Sequence, residues 1–201
     1  MSGFTDFAGT GSLVRLALRR DRARIPLWVV GIVGVLYLSA ASMRGLYETQ
    51  AQIDAYAEVV GGSPATVAMA GPVVGLHTLA GIVMYETYLT AIAGVCIMAV
   101  LMVSRHTRAE EESGRTELVR ATEVGRHAGG AAALIVTGGA CLLVGLGMAL
   151  TLPATPLGAE ASVVYGAAMA ALGLVMAAVA LCLAQLSSPC GCCSISHIAS
   201  T

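Results

Sequence analysis

Four long apolar stretches, separated by polar segments of very different character, set the pattern of this chain. Residues 25–43 carry no charge, residues 79–103 are interrupted only by Glu86, and residues 128–152 and 161–184 carry none. A helix rises about 1.5 Å per residue, so a run of roughly 18–25 apolar residues crosses a hydrocarbon core. The pattern therefore predicts an all-α fold, a polytopic membrane helical bundle with spans at about 25–43, 79–103, 128–152 and 161–184. A cleaved leader is the alternative for the first span, because arginines precede it and Ala40, Ala41 and Ser42 are small. Its apolar run exceeds the roughly 7–15 residues of a leader, which favours a retained span.

Small residues recur four apart in the last span, Gly166 with Ala170 and Ala167 with Ala171. That spacing puts them on one helix face, where a neighbouring backbone can approach closely, and packing rather than cofactor binding is the expected role. Between the first two spans, residues 47–60 read as a helix that stops at Gly61 and Gly62 in a left-handed cap. Ser63 as N-cap and Pro64 in the first turn then start a short helix ending at Gly71 and Pro72. This long connection either packs over the mouth of the bundle or stays solvated.

Two polar segments carry most of the charge. Residues 12–24 alternate leucine-rich and arginine-rich faces, so as a helix they can lie among lipid headgroups, with Arg15, Arg19, Arg20, Arg22 and Arg24 on phosphates, and enter the first span at Pro26 and Trp28. An orientation signal alone is the plainer reading. The loop of residues 104–127 contains Arg108 with Glu112, Glu111 with Arg115, and Glu123 with His127, each pair four apart, which supports helices projecting from the membrane. Leu118 and Val119 lie between them. Charge spacing alone leaves a solvated connection as the simpler reading and a partner-docking surface as the other. Glu86 is the one acid inside a span. Such an acid is a functional candidate by default, but at about two turns' depth it can also snorkel to the interface, so a substrate-pathway lining and a plain surface acid both stand.

Composition sharpens the picture. With 57% hydrophobic and 11% charged residues and a mean hydropathy of +0.81, 201 residues lack the polar side chains to cover a soluble domain, so membrane lipid is part of the solvent. A net charge of -1, with no basic patch interleaved with aromatics, argues against nucleic acid. Every arginine except Arg44 lies on the side of the N-terminus or in the loop between the second and third spans. The positive-inside rule then predicts a multi-pass cell-membrane protein with both termini cytoplasmic, which an even number of spans satisfies.

Catalytic constellations are missing: there is no HExxH and no Ser/His/Asp set that this topology gathers. Nor is there a lysine, which a P-loop needs for the β- and γ-phosphates, so the chain is expected to be no enzyme and to carry no cofactor; ATP-driven work would need another subunit. Cys96, Cys141 and Cys182 sit singly in apolar stretches and do not suggest a disulfide framework. Cys190, Cys192, Cys193 and His197 are packed too tightly for an ordinary structural zinc site, so no metal is expected there, and residues 189–201 read as an atypical tail created by truncation or a frameshift near Ser188.

The segments GTGSLVRLALRRDRARIPLWVVG, RHTRAEEESGRTELVRA and GRHAGGAAAL resemble the N-terminal region of actinobacterial ABC exporter permeases of the type-2 group, the polyketide-antibiotic or tetronasin-like exporters. The resemblance covers about residues 9–188 and implies a permease domain over residues 1–188, truncated relative to a longer chain with two membrane halves. It further implies export of hydrophobic compounds such as antibiotics, driven by a separate cytoplasmic ABC ATPase that binds the ATP. By the same resemblance residues 13–24 form an elbow helix, and Glu110, Glu111, Glu112, Gly114, Arg115, Glu117, Leu118 and Arg120 a coupling segment facing the ATPase. A second permease half or another copy of the chain would complete the assembly. The rival expectation is a four-helix membrane scaffold or modulator that does not itself transport.

Overall fold

The computed structural model describes residues 10–71, 75–112 and 128–187. Among them every regular element is helical: α1 (Thr10–Asp21), α2 (Arg24–Leu46), α3 (Gln50–Gly61), α4 (Pro64–Ala70), α5 (Leu79–Glu112), α6 (Ala128–Thr151), a 3₁₀ turn (Leu152–Ala154) and α7 (Gly158–Ser187). Among the described residues four stretches are long and apolar enough to cross a membrane: Arg24–Leu46, Leu79–Thr107, Ala128–Ala154 and Gly158–Gln185. They lie within a few residues of the predicted spans.

The middle of the bundle is α6, on which α1, α2, α5 and α7 all pack. Leu36 of α2, Val95 and Met98 of α5, Cys141, Val144 and Met148 of α6, and Tyr165 and Ala177 of α7 belong to one buried cluster. Leu27, Leu38, Leu89, Leu150 and Leu183 point outward. In water that would be a liability; in a bilayer these are the faces that meet acyl chains. Two hydroxyls inside the spans are satisfied within their own helices, Thr87 donating to the Val83 carbonyl and Thr151 to the Gly147 carbonyl, each at 2.7 Å, whereas the buried Thr137 hydroxyl makes no hydrogen bond.

Successive spans alternate in direction, so the bundle has an arginine-rich end and an acidic end. At the acidic end, α6 turns into α7 through the 3₁₀ segment, with Thr155 Oγ1 donating to the Leu152 carbonyl at 2.6 Å. Gly158, at φ +72°, then starts α7 three residues before the predicted boundary.

Small residues set the α6–α7 distance. The Gly166–Ala170 face meets Gly145, as the four-residue spacing suggested: a Cβ on Gly145 would fall 2.5 Å from the Gly166 carbonyl oxygen and 2.8 Å from the Ala170 Cβ. Ala167 and Ala171 do not share that role, because both are exposed and face away from the seam.

The connection between α2 and α5 folds onto the bundle. Helix α3 starts at Gln50, three residues later than predicted, because the Gln52 side-chain oxygen accepts from the Glu48 and Thr49 backbone N–H groups and so caps the helix there. Its C-terminal Gly62 is right-handed (φ -81°), not left-handed as predicted; its N–H reaches the Glu58 carbonyl at 3.0 Å, which ends the helix without a reversal. Helix α4 follows the predicted design, with Ser63 accepting from the Thr66 N–H, Pro64 in the first turn and Gly71 at φ +83°. Ile53 and Ala57 of α3 pack with Leu76 and Ile82 in a second small core, lined by Tyr47, Tyr56 and Tyr85. Docking of α3 on the start of α5 is thus built into the fold, and the solvated alternative does not hold for α3.

Candidate functional site

Two polar constellations stand out, one at each end of the bundle. At the arginine-rich end, α1 ends in Asp21, the one acid among the elbow arginines, and a two-residue turn leads into α2. Its side chain is only 4% exposed. A buried carboxylate is costly unless paired, and Arg24 of α2 together with Arg105 and His106 of α5 converge on this one. Asp21 Oδ2 lies 3.0 Å from His106 Nε2, while Oδ1 lies 3.8 Å from Arg105 Nη2 and 4.0 Å from Arg24 Nη1. Oδ1 and the imidazole Nε2 make no aligned hydrogen bond, so the two guanidinium groups hold the carboxylate by charge more than by directed bonding. The clasp ties α1 and the start of α2 to the point where α5 leaves its apolar span.

Of the elbow arginines, Arg15, Arg19 and Arg20 are exposed on α1, Arg22 is exposed in the turn, and Arg24 joins the clasp. The rest of α1 differs from a simple surface helix. Val14 and Ala17 pack on the core, while Leu16 and Leu18 remain exposed. A groove of about 380 Å³, almost wholly apolar, lies between this helix and the bundle, lined by Val14, Leu18 and Ile25 on one side and Ile135, Gly139 and Leu143 on the other.

Helix α5 runs without a break from Leu79 through Glu112, so it extends beyond its apolar span and includes Glu110, Glu111 and Glu112, three residues of the expected coupling segment. Gly114, Arg115, Glu117, Leu118 and Arg120 lie outside the described residues, as do Cys190, Cys192, Cys193 and His197. Among the described residues no group of three or more His, Cys, Asp or Glu side chains is arranged to hold a metal ion.

At the acidic end, Glu86 accepts a hydrogen bond from the Tyr56 hydroxyl of α3. Burial pushes the Tyr56 phenol above its ordinary range and the Glu86 contact adds to this, so the phenol remains a donor. Tyr47 stands edge-on to Tyr56 with ring centroids 5.5 Å apart, and Tyr85 is 6.0 Å from Tyr88. Beside them, Asp54 accepts from the Gln50 amide at 3.0 Å and contacts His77 Nδ1 at 3.3 Å; the amide first and the imidazole second hold its carboxyl below the usual range. Glu86 therefore neither floats free nor is sealed in the core. It is exposed along one side and latched to the α3 cap on the other.

Sequence reasoning named Glu86 and the elbow arginines but missed Asp21, His106 and the tyrosines. A lone acid inside an arginine run was the available signal for Asp21. Nothing along the chain announces that Arg105 and His106 return to it.

Comparison with known proteins bears on what such a bundle does. A family model described as the multidrug efflux system permease Rv1217c, C-terminal domain, matches residues 11–188. The multidrug efflux system permease protein Rv1217c of Mycobacterium tuberculosis (strain ATCC 25618 / H37Rv) is 42% identical over 189 residues, which cover 92% of this chain and 33% of that protein. The chain thus spans about a third of the length of this curated relative. The matched model is of a C-terminal domain, whereas the resemblance read from the sequence was to the N-terminal region of such permeases.

Proposed function

The chain belongs to the family of the multidrug efflux permease Rv1217c C-terminal domain, and from that membership we propose that it forms membrane-spanning permease structure of an exporter for hydrophobic compounds, powered by a separate ABC ATPase. The observation that carries the reading is the shape of α5. It continues as one helix from the bilayer into the charged segment, and at the exit point the Asp21 clasp braces it against the elbow. A displacement imposed on residues 110–112 by a docked subunit would have a route along α5 to α1 and α2. The absence of any lysine supports a division of labour in which ATP is bound elsewhere. Polyketide-type antibiotics are the finer cargo reading. The outward apolar faces of α2 and α7 suit association with a second permease half or another copy of the chain.

Co-expression with an ATPase encoded beside it tests docking directly. The two subunits should co-purify, and Glu111→Arg with Glu112→Arg should weaken the complex at least several-fold while membrane insertion is retained. Co-purification unchanged by the charge reversal would remove the docking role from this segment. Binding without any stimulation of hydrolysis by hydrophobic compounds would favour the scaffold.

Orientation is proposed from arginine placement, with both termini cytoplasmic and the acidic end outside. Reporter fusions after Gly62, Gly114, Thr155 and Ser188 should read outside, inside, outside and inside. An inside reading at Gly62 would overturn the assignment.

A further inference from the structure

The chain has six tyrosines, two phenylalanines and one tryptophan in 201 residues, yet four of the tyrosines gather at one place around Glu86. Tyr47 and Tyr56 meet edge to face and pack with Tyr85 around Ile82; Tyr88 lies one turn of α5 further on, against Tyr85. Glu86 sits among them, exposed on one side and hydrogen-bonded to Tyr56 on the other. We propose that Glu86 and the rings of Tyr47, Tyr56 and Tyr85 form a binding site for hydrophobic organic monocations at the acidic end of the bundle.

The chemistry selects that class. A carboxylate attracts positive charge, and the faces of aromatic rings do the same through their quadrupoles, so both elements favour a cation and disfavour an anion. An inorganic divalent ion is a poor match, because one carboxylate and phenol hydroxyls do not supply the six or more oxygens that calcium requires. The partly exposed rings of Tyr47, Tyr56 and Tyr85 suit a cation whose charge is carried on a hydrophobic body. The wider field points the same way. Glu48, Asp54, Glu58, Glu86 and Glu160 all belong to this end, with Arg44 as its one arginine. That excess concentrates cations near the site before they bind.

This inference rests on the efflux reading for its biological sense, but its test does not use the ATPase. The full chain in lipid nanodiscs is titrated with tetraphenylphosphonium, and in parallel with the neutral triphenylphosphine oxide. Glu86→Gln is the informative variant, because the amide carbonyl still accepts from the Tyr56 hydroxyl while the charge is gone. It should weaken tetraphenylphosphonium binding about tenfold and leave the neutral compound unchanged. Tyr56→Leu, which removes the ring, should weaken cation binding about threefold, whereas Tyr56→Phe should keep most of it. Unfolding midpoints of each variant separate loss of a site from loss of the fold. Equal cation affinity in the parent chain and Glu86→Gln, no cation binding at all, or parallel loss of cation and neutral compound would each overturn the proposal. A chain that docks an ATPase but binds no cation would refute this site alone. Cation binding without docking would keep the site and refute ATPase-driven export.

Discussion

Gly166→Val should separate α6 from α7 and give a large loss of stability. The two helices touch backbone to backbone at Gly145 and Gly166, and a Cβ on Gly166 would run into the Gly145 carbonyl. A flexible side chain can swing aside from an intruding methyl, but a carbonyl within a helix cannot. Overpacking typically costs about 1–3 kcal/mol, and the upper part of that range applies where the clash is with main chain. In lipid there is little hydrophobic force to press the helices back together, because acyl chains solvate the freed surfaces equally well. Gly145→Val should behave alike for the same reason. Gly34→Ala is the matched control, since a Cβ there meets nothing within 4 Å. Unfolding midpoints in mild detergent under increasing denaturing detergent would report the difference. A Gly166→Val midpoint equal to that of Gly34→Ala would refute the close-contact account.

That seam also shows how far the sequence could be read. Lipid imposes a length on every span, so the four spans were legible from uninterrupted apolar runs. Helix α5 overran its apolar stretch because residues 104–112 keep helical spacing of charge after hydrophobicity ends, and hydropathy marks the bilayer, not the helix. Spacing of small residues identified candidate contact faces but not which face would be used. Gly166 and Ala170 meet α6, while Ala167 and Ala171, rotated by about 100° on the same helix, are exposed. Capping chemistry was readable at Ser63, Pro64 and Gly71, where local bonding decides the structure. It failed at Gly62, where a right-handed ending served as well. Least legible were the contacts between distant segments, Tyr56 with Glu86 and Asp21 with Arg105 and His106. They depend on how helices pair, and a chain read in one dimension does not contain that pairing explicitly.

Asp21→Asn should loosen the elbow from the bundle and leave the spans inserted. The asparagine keeps the shape of the side chain but removes the one negative charge that Arg24 and Arg105 share beside His106. Breaking a fully buried pair costs about 3–5 kcal/mol. Here Arg24 is 53% and Arg105 32% exposed, so both guanidinium groups can turn to water, and a loss of about 2 kcal/mol is the expected size. The local consequence should exceed the global one, because α1 is held at its C-terminal end by this clasp. Arg19, Arg20, Arg22 and Arg24 flank Asp21, so trypsin provides a sensitive readout. Cleavage in this run should be several-fold faster in Asp21→Asn than in the parent chain, with the remaining spans still protected. Arg105→Gln should act in the same direction. The double variant should lose less stability than the two single losses combined, since both remove the same contact. Strict additivity to within about 0.5 kcal/mol would show that Asp21 and Arg105 act independently, and the clasp would then no longer link the elbow to α5.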